Sequence, residues 1–276
     1  MSKPAKSTAK NSGNIYIGIG GWTFEPWRGV FYPEKLTQAK ELSYAASKLT
    51  SIEINGTYYG SQKPESFRKW AREVPDGFVF SLKGPRFATN RRVLAEAGDS
   101  VKRFYDSGVL ELGDRLGPVL WQFLPTRAFD PDDIAAFLAL LPDAIDGLPL
   151  RHAVEVRHPS YLDPRWLELA RAHGVATVYT DSPDYPNLAD LTGPFVYARL
   201  MRSQANRKTG YTAPALAEWA ARSATWAGGG DPAELPHVGK AAAKGAPRDV
   251  FVFFISAAKE RNPAAAMALG ELAGAA

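Results

Sequence analysis

Carboxylates and cations recur at alternate positions within short apolar segments of the sequence. In residues 51–55 the two isoleucines share one face of an extended chain, and Glu53 lies on the opposite face. Residues 153–157 repeat this pattern with Glu155. Carboxylates beside cations are typical of acid–base catalysis and of buried ion pairs. We therefore predict one polar cluster, which contains Glu53, Lys83, Glu155, Arg157, Asp181 and Arg199.

The segments that carry these residues alternate with amphipathic stretches along the whole chain. Repeated strand–helix alternation predicts parallel βαβ units, and eight such units close a barrel. The predicted strands are residues 15–19, 51–55, 78–83, 119–123, 153–157, 176–181, 195–200 and 250–255. The predicted helices include residues 39–49, 64–72, 132–141, 164–173 and 214–226. We predict an α/β protein, a single-domain (β/α)8 TIM barrel, with a doubly wound open sheet as the competing architecture.

Barrel enzymes place their catalytic groups at the carboxyl ends of the strands. The apolar face of each strand must pack on the surrounding helices, so the polar face is expected to point into the barrel. On this basis Glu53, Glu155 and Asp181 are the predicted catalytic residues. A structural ion-pair network that closes the barrel explains the same residues, and the two interpretations are compatible.

The loops that follow the predicted strands carry many cations and several aromatic residues. The cations favour an anionic ligand, and the rings either stack on a sugar or base or pack as a lid. After the last strand, Asn262 and Pro263 predict a helix N-terminus, whose amide groups and dipole attract an anion. The predicted binding residues are Trp22, Asn55, Tyr58, Lys83, Gln122, Arg157, His158, Arg199, Arg202 and Lys259.

Length and composition limit the class of protein. The 276 residues are 45% hydrophobic and include no cysteine, which excludes disulfides, thiolate metal sites and cysteine nucleophiles. No window approaches the ~20 apolar residues of a membrane span, and a cytoplasmic location is expected. The net charge of +4 permits anionic partners without requiring them.

The chain is expected to divide into a tail, a barrel and a short end. Residues 1–14 are predicted to form a disordered basic tail, and residues 15–270 the barrel. A Gly-, Ala- and Pro-rich exposed loop is predicted near residues 228–247. Residues 271–276 are predicted to be a flexible C-terminus.

Metal and cofactor signals are sparse in the sequence. Of the four histidines, only His158 follows a predicted strand in a position to reach the site. A multi-metal nuclease centre needs several histidine and carboxylate ligands, so none is expected. We predict no cofactor and assign no metal ligand. A single divalent cation held by Glu53, Glu155 or Asp181 stays open as an alternative.

A set of short motifs recurs together over residues 16–269. They include Gly20-Gly21-Trp22, Trp27-Arg28-Gly29, Phe31-Tyr32-Pro33, Glu53-Ile54-Asn55, Thr57-Tyr58-Tyr59, Leu116-Gly117-Pro118-Val119-Leu120 and Val154-Glu155-Val156-Arg157-His158. Their combination resembles the YecE-like TIM-barrel family, a domain of unknown function, of which this chain looks like a divergent member. The resemblance implies a TIM barrel and supplies no reaction, because the family has no established activity to carry over.

Three positions depart from the family pattern. Thr89-Asn90 stands where the family usually has Thr-His, and Arg199-Leu200-Met201-Arg202 where it has Arg-Leu-His-Gly. Phe254-Ile255-Ser256 replaces Phe-Asn-Asn. The resemblance thus implies a site that lacks two histidines and two asparagines and gains Arg202. Either the ligand differs from that of typical members, or catalysis is impaired.

Three functions are compatible with these residues. The leading hypothesis is an enzyme that acts on a small phosphorylated or carboxylated compound, such as a sugar phosphate, with acid–base chemistry or hydrolysis favoured. The alternative is a nucleic-acid-binding barrel that places its basic rim on phosphates and Trp22 or Tyr58 on bases. A non-catalytic scaffold is the third hypothesis, and no residue pattern favours it.

Overall fold

Eight parallel strands form a ring in the computed structural model, which describes residues 12–275. They are β1 Ile15–Gly20, β2 Ser51–Ile54, β3 Val79–Lys83, β4 Leu116–Gln122, β5 His152–Glu155, β6 in two segments Ala176–Thr177 and Tyr179–Thr180, β7 Val196–Leu200, and β8 Val250–Phe254. Strand β1 pairs with β2 and with β8. The first segment of β6 pairs with β5 and the second with β7, so β6 closes the barrel.

Helices cover the outside of this ring. Those in the described residues are α1 Glu41–Ala46, α2 Gly56–Tyr59, α3 Pro64–Glu73, α4 Arg86–Thr89, α5 Gly98–Asp106, α6 Pro131–Leu138, α7 Pro164–Ala172, α8 Ala213–Ala227 and α9 Asn262–Ala273. The N-cap residues of α6, α7 and α8 are Asp130, Asp163 and Thr212, and each side chain accepts a hydrogen bond from a backbone amide in the first turn. Each of these helices also has a proline in its first turn. The sequence therefore determines where the three helices begin.

Two departures from regular strand–helix alternation are present. No helix lies between β6 and β7, where residues 181–195 run as a loop. A small antiparallel hairpin, Ala144–Ile145 with Leu148–Pro149, precedes β5. Nowhere in residues 12–275 is a helix both long and apolar enough to cross a membrane.

Alternate side chains of the strands divide between two apolar clusters. The outer cluster packs the strands on the helices and contains Ile52, Ile54 and Leu82, as their spacing predicted. The inner cluster fills the barrel below the polar residues. Its buried members are Val79, Leu120, Ala153, Ala176, Val178, Phe195, Tyr197, Met201, Phe251, Phe253 and Ile255.

Strand β6 faces the opposite way from our prediction. Val178 belongs to the inner cluster, whereas Tyr179 belongs to the outer one, so Asp181 also lies on the outer side. The ring of Tyr179 packs on Trp219 and Trp226 of α8, with centroids 5.6 and 6.1 Å apart. Both faces of β6 carry polar and apolar residues, so the sequence pattern did not decide between them.

Gly13 and Asn14, which the sequence predicted to belong to the tail, form hydrogen bonds with the barrel. Residues 1–11 lie outside the described residues. The amide of Gly13 donates to the Ala227 carbonyl at 3.0 Å, and the amide of Asn14 donates to Asp249 Oδ1 at 3.0 Å. These two residues therefore belong to the barrel. At the other end, α9 continues to Ala273, three residues beyond the predicted end of the barrel.

The loop at residues 228–247 contains neither helix nor strand in the described chain, and it is fixed to the barrel. Asp190 accepts from the amides of Val238 and Gly239, both at 2.8 Å. Leu235, which lies within the loop, is buried. Part of this segment is therefore packed, contrary to the prediction of an exposed loop.

Candidate functional site

Arg199 lies in the middle of the barrel, where its guanidinium joins two buried carboxylates. Nε and Nη2 donate to Glu53 at 3.1 and 3.0 Å, and Nη1 donates to Glu155. Nη1 also donates to Gln122 Oε1 at 3.3 Å. The hydroxyl of Tyr197 donates to Glu53 at 2.8 Å. We call these five residues the Arg199 cluster. Both glutamates are fully buried, so each one's charge is balanced within the cluster.

The structure brings two of the three predicted catalytic carboxylates together, but on one shared arginine. Burial by itself would raise the pKa of Glu155, yet the guanidinium groups of Arg199 and Arg157 outweigh it and hold this pKa below its ordinary value. A carboxylate held in its ionised form is a poor proton donor near neutral pH. Glu155, held ionised on the same arginine as Glu53, is therefore not suited to be the proton donor that glycoside cleavage requires.

A cavity of about 300 Å³ opens above the Arg199 cluster at the carboxyl ends of the strands. Six of the ten predicted binding residues line it. The lining residues are Gly20, Asn55, Lys83, Gln122, Arg157, Arg199, Phe254, Ile255, Ser256, Lys259 and Asn262. Four of these carry positive charge, and the two glutamates beneath supply two negative charges, which leaves an excess of two positive charges (four minus two). We call this space the strand-end cavity.

A second depression continues from the strand-end cavity and has aromatic walls. It measures about 360 Å³ and shares Asn55 and Lys259 with the cavity. Its rings belong to Trp22, Tyr59 and Trp70, and Trp22 meets Trp70 edge to face at 5.2 Å. We call it the aromatic groove. Trp22, one of the predicted binding residues, therefore lies beside the cavity, together with Tyr59 of the Thr57-Tyr58-Tyr59 motif.

Lys83 ends β3 and reaches the cavity without a hydrogen-bonding partner. Its Nζ lies over the ring of Tyr58, 4.1 Å from the centroid. Within residues 12–275 it donates no hydrogen bond and forms no ion pair. Burial, assisted by the nearby Arg199 charge, lowers the pKa of Lys83 to about 8. Tyr58, predicted to bind ligand, instead supports the lysine.

Lys259 forms another part of the cavity wall. Its Nζ lies over the rings of Phe24 and Trp27, at 4.3 and 5.5 Å from their centroids. The indole of Trp27 donates to the Lys259 carbonyl at 2.9 Å, which fixes the backbone there. Burial lowers the pKa of Lys259. The aromatic residues after β1 therefore hold a cation beside the cavity.

Three predicted site residues lie away from the cavity. His158 Nδ1 contacts the hydroxyl of Ser160 at 2.7 Å, where it begins a short 3-10 turn. Arg202 is exposed and donates to the backbone carbonyl of Asp181. Asp181 Oδ1 accepts from the Met201 amide at 2.5 Å, so this carboxylate fixes the end of β7. These three residues therefore do not line the strand-end cavity, because side-chain direction after a strand depends on the local turn.

The turn after β8 contributes Ser256 and Asn262 to the cavity, two residues that were not among the predicted binding residues. Ser256 and Ala257 have φ values of +58° and +48°, a left-handed conformation that costs about 1–3 kcal/mol for such residues. Asn262 Nδ2 donates to the Ser256 carbonyl at 3.2 Å, and Asn262 Oδ1 accepts from Ser203 at 2.8 Å. Asn262 thus stabilises the turn, and the residue that caps α9 is Arg261, one residue earlier than predicted.

One of the three departures from the family pattern falls at this cavity, which Ile255 and Ser256 line. Met201 lies in the inner cluster. Asn90 contacts the Tyr58 hydroxyl at 3.5 Å. Of the positions where this chain differs from the resembled family, those after β8 therefore reach the strand-end cavity.

Metal-binding side chains do not converge in the described chain. Residues 12–275 contain no group of three or more His, Asp or Glu side chains placed to hold a metal ion. Of the carboxylates considered for a single cation, Glu53 and Glu155 contact Arg199, whereas Asp181 lies on the outer side of β6. These three carboxylates therefore do not share one site.

Asp181 is expected to make stability depend on pH. Burial raises the pKa of Asp181 to about 6, so the folded state binds this proton more tightly than the unfolded state. The free energy of unfolding should therefore fall as pH rises from about 4 to about 6, by on the order of 3 kcal/mol. The variant Asp181→Asn cannot ionise and should lack this contribution. Urea denaturation of both proteins between pH 4 and 7 measures the difference, and parallel curves would contradict the expectation.

Comparison with known proteins finds a family and several relatives that this chain resembles. The family described as "Protein of unknown function DUF72" matches residues 16–276. UPF0759 protein YunF of Bacillus subtilis is 25% identical over 212 residues, 72% of this chain and 73% of YunF. UPF0759 protein YecE of Escherichia coli K12 is 30% identical over 149 residues, 53% of this chain and 50% of YecE. A DUF72 family crystal structure from Thermotoga maritima gives a TM-score of 0.71 at 22% identity, covering 94% of this chain and 98% of that one. These similarities confirm the predicted TIM-barrel fold and family resemblance.

Proposed function

This chain belongs to the DUF72 family of proteins of unknown function, and we propose that it is an enzyme whose strand-end cavity binds a small phosphorylated or carboxylated compound. The observation that carries the proposal is the charge of that cavity. Lys83, Arg157, Arg199 and Lys259 line it, and only Glu53 and Glu155 balance them from beneath. Cations held in a partly enclosed space attract an anion more strongly than the same charges do in bulk water.

Size and shape support a small ligand. The strand-end cavity of about 300 Å³ and the adjoining aromatic groove of about 360 Å³ together fall in the range of ordinary ligand pockets. The guanidinium of Arg157 donates from Nε to Glu155 and from Nη1 to the Tyr185 hydroxyl at 3.4 Å, which leaves Nη2 to bind an oxygen of a phosphate or carboxylate. The rings of Trp22 and Trp70 offer apolar surface to the remainder of the ligand, such as a sugar.

Nucleic-acid binding is the second candidate, and contacts on the rim weaken it. Arg91 donates to the Phe87 carbonyl at 3.1 Å, and Arg207 donates to Gln204 at 2.6 Å. Arg202 donates to the Asp181 carbonyl. Each of these guanidinium groups keeps its charge but is held against the protein surface by neutral oxygen atoms, so it has fewer donors left for a phosphate backbone. No contact in the described chain favours the scaffold hypothesis.

The test is ligand-induced thermal stabilisation. Sugar phosphates, small carboxylates, nucleotides and short oligonucleotides are added to the protein in turn, since binding at 100 times Kd stabilises by about 2.7 kcal/mol. We expect a small anion to raise the melting temperature. The variant Arg157→Met should weaken its binding roughly tenfold to hundredfold, because one charged hydrogen-bonding partner is lost. Glu155 keeps Arg199 as its partner, so the variant should fold.

The matched control is Arg165→Met. Arg165 pairs with Asp163 two residues earlier, as Arg157 pairs with Glu155, but it lies on the surface with 66% of its side chain exposed. Its replacement should leave ligand binding unchanged. Equal loss in both variants would argue against the cavity as the binding site. Stabilisation only by oligonucleotides, fading as salt rises, would replace the proposal with nucleic-acid binding.

A further inference from the structure

We propose that Lys83 is the nucleophile of the strand-end cavity and forms an imine with a ligand that carries both a carbonyl group and a carboxylate or phosphate. The inference rests on the proposed function, because the neighbouring cations would hold the anionic end of the ligand while its carbonyl meets Lys83. It goes further by naming the reacting residue and the substrate class. We reach it from four properties of Lys83: position, rigidity, absence of partners and charge environment.

The backbone that carries Lys83 is held rigidly at the end of β3. The hydroxyl of Thr57 donates to the Lys83 carbonyl at 2.7 Å. The next amide, that of Gly84, donates to the Leu120 carbonyl at 2.8 Å. A Cβ at position 84 would lie 2.5 Å from the ring of Trp121, so the chain passes close to that ring. The amine is therefore delivered to the cavity from a fixed point, as a catalytic group requires.

Lys83 differs from lysines whose charge is neutralised by a partner. On α5, the Lys102 ammonium pairs with Asp106 at 2.5 Å, whereas Lys83 faces only the Tyr58 ring and the open cavity. The two carboxylates near Lys83 are already held by Arg199 and Arg157. No acid in the described residues therefore competes with a ligand for this nitrogen.

The charge environment of Lys83 favours its neutral amine. The charged groups that face it are Arg199, Glu53, Glu155 and Arg157, and the nearest ring is that of Tyr58. Burial, with a contribution from Arg199, lowers the pKa of Lys83 to about 8. About one tenth of the amine is then unprotonated at pH 7, compared with fewer than about one in a thousand for an ordinary lysine. Desolvation beside other cations is a known way to activate a lysine nucleophile.

The step balances without any further reagent. The unshared electron pair of Lys83 Nζ attacks the carbonyl carbon and forms a C–N bond, while the C=O electrons move to oxygen. The two hydrogens of the amine then leave with that oxygen as water, and a C=N bond remains. The imine withdraws electrons from the adjacent carbon, which eases loss of a proton or of a carbon substituent there.

Reductive trapping tests the proposal. The protein is incubated with sodium cyanoborohydride and, in turn, pyruvate, glyoxylate, dihydroxyacetone phosphate and glyceraldehyde 3-phosphate. Hydride from the reagent converts an imine to a stable secondary amine, which peptide mass spectrometry locates. We expect at least one compound to modify Lys83 at least tenfold faster than any other lysine. Lys83→Met should lose this fast labelling, and the surface control Lys102→Met should retain it.

The pH profile separates a nucleophile from a simple anion anchor. Trapping at Lys83 should rise about tenfold from pH 6 to pH 7 and level off above about pH 8, because the neutral amine reacts. An anchor would instead lose affinity above that pH as its charge disappears. Labelling confined to surface lysines, labelling unchanged in Lys83→Met, or no labelling by any of the four compounds would overturn the imine.

Failure of this inference can be told from failure of the proposed function. Thermal stabilisation by one of the four compounds that disappears in Arg157→Met, without an adduct at Lys83, overturns the imine and leaves the anion-binding cavity intact. If none of the four compounds stabilises the protein or forms an adduct, both the imine and binding of these compounds in the strand-end cavity are overturned. Peptide mass spectrometry of the wild-type protein shows whether Lys83 carries the adduct. This result does not require the Lys83→Met variant to fold.

Discussion

Replacement of Arg199 with methionine is expected to lower the free energy of unfolding by about 3–5 kcal/mol, the cost of leaving buried charges without a partner. Arg199 donates to both Glu53 and Glu155, and no part of either glutamate reaches solvent. Its loss leaves Glu53 without a cation and Glu155 with Arg157 as its cation, and the repulsion between the two carboxylates is poorly screened in the barrel interior. The melting temperature should fall by roughly 10 °C. Urea denaturation followed by circular dichroism measures the effect.

Arg68→Met is the matched control for this prediction. Arg68 also joins two glutamates, Glu65 at 2.9 Å and Glu111 at 2.8 Å, but on the surface. Surface pairs contribute little, so this change should cost no more than about 1 kcal/mol. Adding Glu53→Gln and Glu155→Gln to Arg199→Met should restore part of the stability, because the unpaired charges are removed. Equal losses at positions 199 and 68 would show that burial of the network does not matter.

Gly18→Ala is expected to destabilise the barrel by about 1–3 kcal/mol, although it adds only one methyl group. A Cβ at position 18 would lie 2.0 Å from the Ser51 carbonyl oxygen, which belongs to the neighbouring strand β2. The contact is with backbone, so no side-chain rotation relieves it. Strands β1 and β2 must shift, and both contribute residues to the cavity.

Gly270→Ala is the control for the glycine effect. Gly270 lies within α9, and nothing is within 4 Å of where its Cβ would be. Alanine in a helix interior is favoured over glycine by roughly 0.5–1 kcal/mol, so this variant should gain stability. The free energies of unfolding of the two variants should therefore differ by about 1.5–4 kcal/mol, with Gly18→Ala the less stable. If Gly18→Ala were as stable as the wild type, the close approach of β1 and β2 would not be rigid.

These contacts divide the predicted polar cluster into two roles. Arg199, Glu53 and Glu155 satisfy one another and hold the barrel interior together. Lys83 and Arg157 line the cavity with capacity left for a ligand. Under the proposed function, the structural and catalytic interpretations of the sequence apply to different members of one cluster. Substitution of a residue in the first group should lower stability, whereas substitution of a residue in the second group should reduce ligand binding or labelling.

Sequence patterns predicted the fold and most of the cavity because they depend on local rules. Alternating apolar residues place Ile52 and Ile54 on the helices and therefore Glu53 inside, since a strand has only two faces. The same rule located Lys83 and Arg199. It failed at β6, where Val178 turned inward and Asp181 outward, because both faces of that strand are mixed in polarity.

What the sequence alone determined is which strand faces are polar and hence which residues gather at the strand ends. What only the tertiary structure decided is which of those residues neutralise one another. Glu53 and Arg199 are 146 positions apart, and no local spacing encodes their contact. Lys83 lies over the ring of Tyr58 and has no hydrogen-bonding partner in the described residues. This environment likewise depends on how the eight strands close into the barrel. Pairing of buried charges is a property of three-dimensional proximity, so it emerges only when the barrel is complete.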